Sequence, residues 1–303
     1  MEITKRSYSS SANLGPGYDI LSLSHSAFYD SVRIEANNKN GNIKIISANT
    51  PEDPNMNTAG LSVKKIMQDR GINDGLNIYI DKGIPIGLGL GSSGASSSAA
   101  VKAFDELFDL KLSKDEMVYY SMQGEIAACG SAHPDNVSSG IYGGMTLISS
   151  NNPVKVKKIK VNYNLKLLLV IPELDLKNKT EYARSLVPKN IDMASHVKHM
   201  SYISTMIYGI MSGDRESIRL GMNDDIVETS RSPLFPYYKH VKDKAIENNA
   251  ISACVSGAGP TMLILIDEYT KKNDLLAGVK NIMNSFGMVF RIIETDIMEE
   301  YND

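Results

Sequence analysis

The chain has 303 residues, 42% hydrophobic and 22% charged, with 32 Lys+Arg against 35 Asp+Glu and a net charge of −3 with His neutral. These are ordinary values for a soluble globular protein, and they argue against the broad basic surface that non-specific nucleic-acid binding needs. A chain of this length suggests two domains and buries about three quarters of its extended surface without metal or disulfide staples. Its two cysteines, Cys129 and Cys254, lack any metal spacing and read as reduced thiols. The first residues carry no apolar signal segment, and the apolar runs Leu167 to Ile171 and Met262 to Ile266 are too short to span a membrane. The expectation is a cytoplasmic protein that partners neither nucleic acid nor membrane.

In chain order, Ser31 to Glu35 and Asn42 to Ile46 alternate in polarity and predict an antiparallel pair of strands joined by a turn at Asn40-Gly41. Leu61 to Arg70 has near-helical apolar spacing, and Leu76 to Ile80 alternates as a strand. A helix is predicted from Ala95, on the spacing of Ala99, Val101, Phe104, Leu107 and Phe108. Another starts at Ser113, whose distance to Glu116 fits a capping box. Val154 to Val161 carries four Lys and no acid, which reads as a strand with a solvated basic face.

The polar turn Asn162-Tyr163-Asn164 marks the predicted domain boundary, giving units 1–162 and 163–303. The second reads strand (167–171), long helix (192–213), helix (239–248), strands (251–256 and 261–266), helix (271–285) and strand (288–294). Within the long helix, Met193, Val197, Met200, Ser204 and Ile207 are predicted to face the core, and His196 and His199 to lie on its surface. Helices on one face of a mainly antiparallel sheet make the fold class α+β.

Four segments carry candidate chemistry. Pro85-Ile86-Gly87-Leu88-Gly89-Leu90-Gly91-Ser92-Ser93-Gly94-Ala95-Ser96 lies between a strand and a helix, so that its backbone N–H groups and the helix N-terminus make an anion cradle. Hydroxyls of Ser92, Ser93, Ser96 and Ser97 are candidates to bond phosphate or Mg²⁺. No Lys follows the loop, which excludes a P-loop. Gly89 to Gly94 also satisfies G-x-G-x-x-G, but Asp105, Glu106 and Asp109 fall in a helical pattern where a dinucleotide fold needs a second strand. The other three segments are Ser10 to Asp19, read as a turn-rich connection bearing Asn13 and Asp19; Ser256-Gly257-Ala258-Gly259-Pro260-Thr261, read as a hairpin turn; and Glu125 to Asn136, a helix carrying Glu125 followed by a loop with His133, Asp135 and Asn136. Carboxylate plus polar groups is what phosphoryl transfer needs.

Together, in this order, Ser-Ala-Asn-Leu-Gly-Pro-Gly-Tyr-Asp (11–19), the glycine-serine loop, His-Pro-Asp-Asn (133–136) and Ser-Gly-Ala-Gly-Pro-Thr (256–261) resemble the homoserine kinases of the GHMP kinase superfamily. The likeness spans almost the whole chain. It implies an N-terminal ATP-binding domain of the ribosomal S5 domain 2 type and a ferredoxin-like C-terminal domain, with ATP and Mg²⁺ used to phosphorylate the side-chain hydroxyl of L-homoserine in threonine biosynthesis. It further implies that Pro85, Gly87, Gly89, Leu90, Gly91, Ser92, Ser93, Gly94, Ala95 and Ser96 surround the ATP phosphates, that Asn57 lies near the adenine, and that Ser93 and Glu125 hold the metal. Asn13, Asp19, His133, Asn136, Arg184 and Arg231 would receive the amino acid: Asp19 its ammonium, the arginines its carboxylate, and Asn13 and Asn136 its hydroxyl. Aligned on Gly143-Gly144, Asn136 stands where many relatives have an Asp base, with Asp135 one residue before, so positioning by Asn136 is favoured over proton abstraction. A homodimer is compatible with the same resemblance. The sequence departs from the family pattern at Tyr8-Ser9, at Gly94 and at Ser138-Ser139-Gly140. Alternatives are another small-alcohol kinase acting on mevalonate or shikimate, a dinucleotide-dependent oxidoreductase, and a non-catalytic binding relative.

Overall fold

The computed structural model describes residues 1–37, 41–174 and 179–299. Strands β1 (Glu2–Asn13) and β2 (Gly17–Asn37) form a long antiparallel hairpin, followed by β3 (Ile43–Ile46), α1 (Thr58–Arg70) and β4 (Gly75–Lys82). Then come α2 (Ser92–Phe108), α3 (Lys114–Cys129), α4 (Asp135–Tyr142), β5 (Met145–Asn151) and β6 (Val154–Ile159). The first sheet has the order β3-β4-β2-β5-β6, with β1 also paired to β2. Alternation sets its inner face: Val32, Ile34, Ile78 and Ile80 pack under Val63, Ile66, Ala99 and Phe104 of α1 and α2.

Two strand readings change here. The 42–46 segment does not pair with the 31–35 segment; β4 lies between them, and β3 runs parallel to β4. The antiparallel partner of β2 on its other edge is β1, an element that Ser-rich composition hides from hydrophobic counting. Gly41 has φ +67, as a turn there requires, while Asn40 and the Cys129 side chain lie outside the described residues.

The second sheet is built from β7 (Lys166–Pro172), β8 (Ser252–Val255), β9 (Met262–Ile266) and β10 (Phe290–Thr295), all antiparallel in the order β10-β7-β9-β8. That order is the ferredoxin-like one. On one face Leu168, Val170, Met262 and Ile264 meet α9 (Tyr238–Glu247) and α10 (Lys272–Ser285). On the other, Leu167, Leu169, Ile171, Leu263 and Leu265 join Leu14, Leu21, Leu23 and Leu90 of the first unit in one core. Burial on both faces is why β7 and β9 read as unbroken apolar runs. After β10 the chain returns to the first sheet: Ile297 bridges His25, and Gly144 N–H donates to Met298 O at 2.7 Å. The last described residues therefore pack outside the unit to which sequence order assigns them.

Helix α6 (Met193–Ser212) corrects the predicted core face. Its buried residues are Ile203, Met206, Gly209 and Ile210, whereas Met193, Val197 and Met200 are 73%, 60% and 47% exposed. Of the predicted stripe Ile207 does pack against the core, but Met193, Val197, Met200 and Ser204 lie on the outer face, which continues into exposed Tyr208 and Met211. His196 is exposed and His199 Nδ1 lies 3.8 Å from Asp224 Oδ1.

Candidate active site

Where the two sheets meet, a cleft of about 270 Å³ is lined by the ends of β1 and β2, the 86–93 loop, α3, α4, two short helices of the second unit and the 257–258 turn. The loop owes its path to glycine. Gly87, Gly89 and Gly91 have φ of +77, +78 and +69, and a Cβ on Gly89 would fall 2.4 Å from Ser256 O. Only glycine meets both demands, left-handed backbone and close contact with the facing turn. The seam is stitched by Ser256 Oγ, which donates to Gly89 O at 2.6 Å and lies within hydrogen-bond distance of Ser11 Oγ at 2.7 Å.

The loop ends in α2, whose N-cap Gly91 supplies no side-chain hydrogen bond, whereas α1 and α3 are capped by Asn57 and Ser113. A 17-residue helix thus presents its positive end directly to the cleft. Of the serines proposed for this end, only Ser93 points its hydroxyl toward the cleft's acid: Oγ donates to Glu125 Oε2 at 2.9 Å. Ser92 donates instead to Ile84 O, Ser96 to Asp30, and Ser97 to Ser121 O. Ala95 and Ser96 face the interior, and Pro85, Gly94, Ala95 and Ser96 do not line the cleft. Gly94 is small for a reason, since a Cβ there would lie 3.2 Å from Asn136 Cβ and Val137 Cγ1.

Asn57 is not brought to the cleft lining. It is 2% exposed; its Oδ1 accepts from Gly60 N and its Nδ2 donates to Thr50 and Pro51, so its amide is committed to starting α1. The 133–136 segment is also not all loop: Asp135 and Asn136 open α4. The helix is only eight residues long, and the two apolar residues that mark its buried face, Val137 and Ile141, are too few to announce it.

Glu125 on α3 is 6% exposed, and burial pushes its carboxyl up to about 7 despite the Ser93 hydrogen bond. Asp135 is likewise raised to about 6 by burial and by the charge of Asp19. Asn136 Oδ1 accepts from Ser10 Oγ at 2.9 Å, which leaves its Nδ2 donors for the cleft. Ser10, the first residue of the 10–19 segment and without a role there, thereby sets the orientation of that amide.

At the other end, Asn13 (φ +73) ties the 13–19 hairpin: its Oδ1 accepts from Asp19 N at 3.1 Å and its Nδ2 donates to Gly257 O at 2.9 Å. Asp19 and Arg184, assigned from sequence to opposite ends of one ligand, pair with each other, Nη1 and Nη2 each 3.3 Å from a carboxylate oxygen. Arg184 comes from α5 (Lys179–Ser185) and Arg231 from α8 (Val227–Arg231). Arg231, 4% exposed, donates from Nε to Ala183 O at 2.9 Å, and the Tyr18 ring lies 5.2 Å and 5.9 Å from the two guanidinium carbons. Tyr18 was given no role in the sequence reading although it stands inside the motif. Burial and then Arg184 hold the His133 imidazole below its ordinary pKa, with Nδ1 4.0 Å from Asp19.

An anion cradle, an oxygen-donor pair beside it and a fork of opposite charges beyond form an arrangement that suits phosphoryl transfer. The family described as GHMP kinases N terminal domain matches residues 57–144, and GHMP kinases C terminal matches 206–285. Homoserine kinase of Saccharolobus solfataricus is 48% identical over 295 residues, covering 96% of this chain and 95% of that protein. Homoserine kinase of Thermoplasma volcanium is 46% identical, covering 95% and 92%. The crystal structure of homoserine kinase from Cytophaga hutchinsonii superposes with a TM-score of 0.90 at 29% identity, covering 99% of this chain and 96% of that one. The chain belongs to the GHMP kinase family, as a kinase that uses ATP as a substrate.

Proposed function

We propose that the protein transfers the γ-phosphoryl group of ATP to the side-chain hydroxyl of L-homoserine, giving O-phospho-L-homoserine and ADP, within threonine biosynthesis. The observation that carries the choice of acceptor is the Asp19–Arg184 pair at the cleft end opposite the glycine loop. A zwitterion can exchange partners with it, its ammonium going to Asp19 and its carboxylate to Arg184 and Arg231. Homoserine kinase relatives at 46–48% identity support the same substrate. Alcohols without an ammonium would leave Asp19 short of a partner at a cost of about 1 to 3 kcal/mol. ADP release with Mg-ATP is therefore expected to be about tenfold faster or more with L-homoserine than with mevalonate or shikimate, and also than with L-threonine, which carries both charges but holds its hydroxyl one carbon nearer to them. Equal rates on mevalonate would sink the assignment.

The phosphates fit the 87–93 backbone and the open end of α2. Ser93 Oγ and Glu125 Oε2, hard oxygens 2.9 Å apart at the mouth of the cradle, suit Mg²⁺. A bound cation would also return the buried Glu125 to its ionised form. When bound, the metal neutralises charge on the transferring group. Asn136, its Oδ1 held by Ser10, donates to the acceptor oxygen and aligns it, and a loose transition state does not require a strong base. A division at 162/163, read from the polar turn Asn162-Tyr163-Asn164, a cytoplasmic location, read from composition and cysteine usage, and a homodimer compatible with the resemblance belong to this reading. No helix among the described residues is long and apolar enough to cross a membrane.

Asp135 separates the two roles of that helix. A carboxyl moved from 3.8 to about 6 by burial favours folding fully below pH 3.8, and that contribution is lost as pH rises through 6, a cost of about 3 kcal/mol at neutral pH. Asp135→Asn should therefore unfold at higher temperature than the parent at pH 7.5, with the gap closing by pH 4. It should also keep more turnover than Asn136→Ala. Thermal scans at the two pH values and kcat for both variants check this; the reverse kcat ranking would make Asp135 a base.

A further inference from the structure

The glycine loop is held from beneath by two charged side chains that no loop motif contains. Lys82, the last residue of β4, and Asp30, in β2, form an ion pair with side chains 6% and 0% exposed. Asp30 Oδ1 accepts from Ile84 N at 3.0 Å, where the loop begins, and its Oδ2 accepts from Lys82 and from Ser96 Oγ at 2.8 Å. Lys82 Nζ also donates to Ser92 O at 2.8 Å and Ser96 Oγ at 2.9 Å, where the loop ends. Three donors on the ammonium thus meet three acceptors, and two of those lie in the first turns of α2.

We propose that Asp30 and Lys82 are positioning residues for nucleotide binding, clamping the entry and exit of the 84–92 loop so that its amides converge on the phosphates; this rests on the reading of that loop as the ATP site. Desolvating two charges makes a buried pair a poor source of stability compared with a well-packed apolar pair. What distinguishes this pair from an apolar one is its direction: its other hydrogen bonds go to the loop and to α2. Ser96 turns its hydroxyl inward to complete the clamp, and Ser92 adds its backbone carbonyl to Lys82 while its hydroxyl ties the loop's exit to Ile84 O at its entry. Neither charge reaches the cleft lining, so the pair acts through the loop. Its ammonium also contributes a positive field at Glu125, where it favours the ionised carboxylate.

The test compares the parent with the double variant Asp30→Asn/Lys82→Met, which leaves no lone buried charge, and with Ser96→Ala, which removes only the hydroxyl shared by both. Fluorescence titration with a mant-labelled ADP and steady-state kinetics give nucleotide affinity and KM for each substrate. For the folded double variant, KM for ATP and the mant-ADP dissociation constant are expected to rise about tenfold or more, with KM for homoserine changing by less than about twofold. Ser96→Ala should rise about threefold with the same split, and it decides the matter if the double variant does not fold. Unchanged nucleotide affinity in either folded variant, or equal rises for both substrates, overturns the clamp. A parent protein that fails to bind mant-ADP overturns the nucleotide reading itself.

Discussion

Replacing Glu125 with Gln is expected to lower turnover about 100-fold or more while leaving the protein folded. The amide has the shape of the acid and can still accept from the Ser93 hydroxyl, now 2.9 Å from Oε2, so local packing on α3 is kept. What disappears is the negative charge beside the cradle. In this chemistry little covalent work is left to side chains, and neutralising charge on the transferring group is a main source of rate. Stability should not fall, because burial already disfavours the ionised carboxyl, raised to about 7. The expected pattern is a fall in kcat at saturating Mg-ATP, a higher magnesium requirement, a KM for homoserine close to the parent's and an unfolding temperature no lower. Near-normal turnover at low magnesium would remove Glu125 from the metal site.

How much of this was legible in the sequence depends on where the information lies. Chain-local signals read well: the Ser113–Glu116 capping box is present, and the apolar runs at 167–171 and 262–266 are buried strands. The four segments singled out for chemistry do converge on one cleft, since motif order and spacing carry that information. Signals that depend on a partner read poorly. The strand β1 is Ser-rich in its buried half, and those hydroxyls are satisfied by His25, Gly140 and Ser256, none of which is visible from local hydrophobicity. Helix α6 is apolar on more than one side, so periodicity finds a stripe without saying that Ile203, Met206 and Ile210 are the side that meets the core. Lys82 is not legible from the loop motif, because a lysine in direct phosphate contact would follow the glycine loop. The structure puts one before and below, neutralised by an aspartate 52 residues away in sequence.

The two arginines give the last expectation, and their surroundings make it asymmetric. A charged hydrogen-bond pair contributes about 1.5 to 3 kcal/mol, so Arg184→Ala or Arg231→Ala should lower kcat/KM for homoserine by about 10- to 200-fold. Arg184 is half-buried, and its loss takes the ion pair from Asp19, which water can reach at 31% side-chain exposure, and one donor from the Tyr18 hydroxyl, so stability should change little. Arg231 is 4% exposed and donates to Ala183 O, within α5. Its loss removes that donor and leaves a cavity, so Arg231→Ala should also unfold at a lower temperature, by about 1 to 3 kcal/mol. Because Ala183 precedes Arg184, removing Arg231 should also loosen the first arginine, and the double variant should cost less than the two single effects combined. Lys at either position lacks the planar fork and should rescue only in part. KM for ATP is the discriminating quantity, because neither arginine reaches the loop: a large rise for ATP with little change for homoserine would assign both to the nucleotide, and no change in either would return them to ordinary ion pairs.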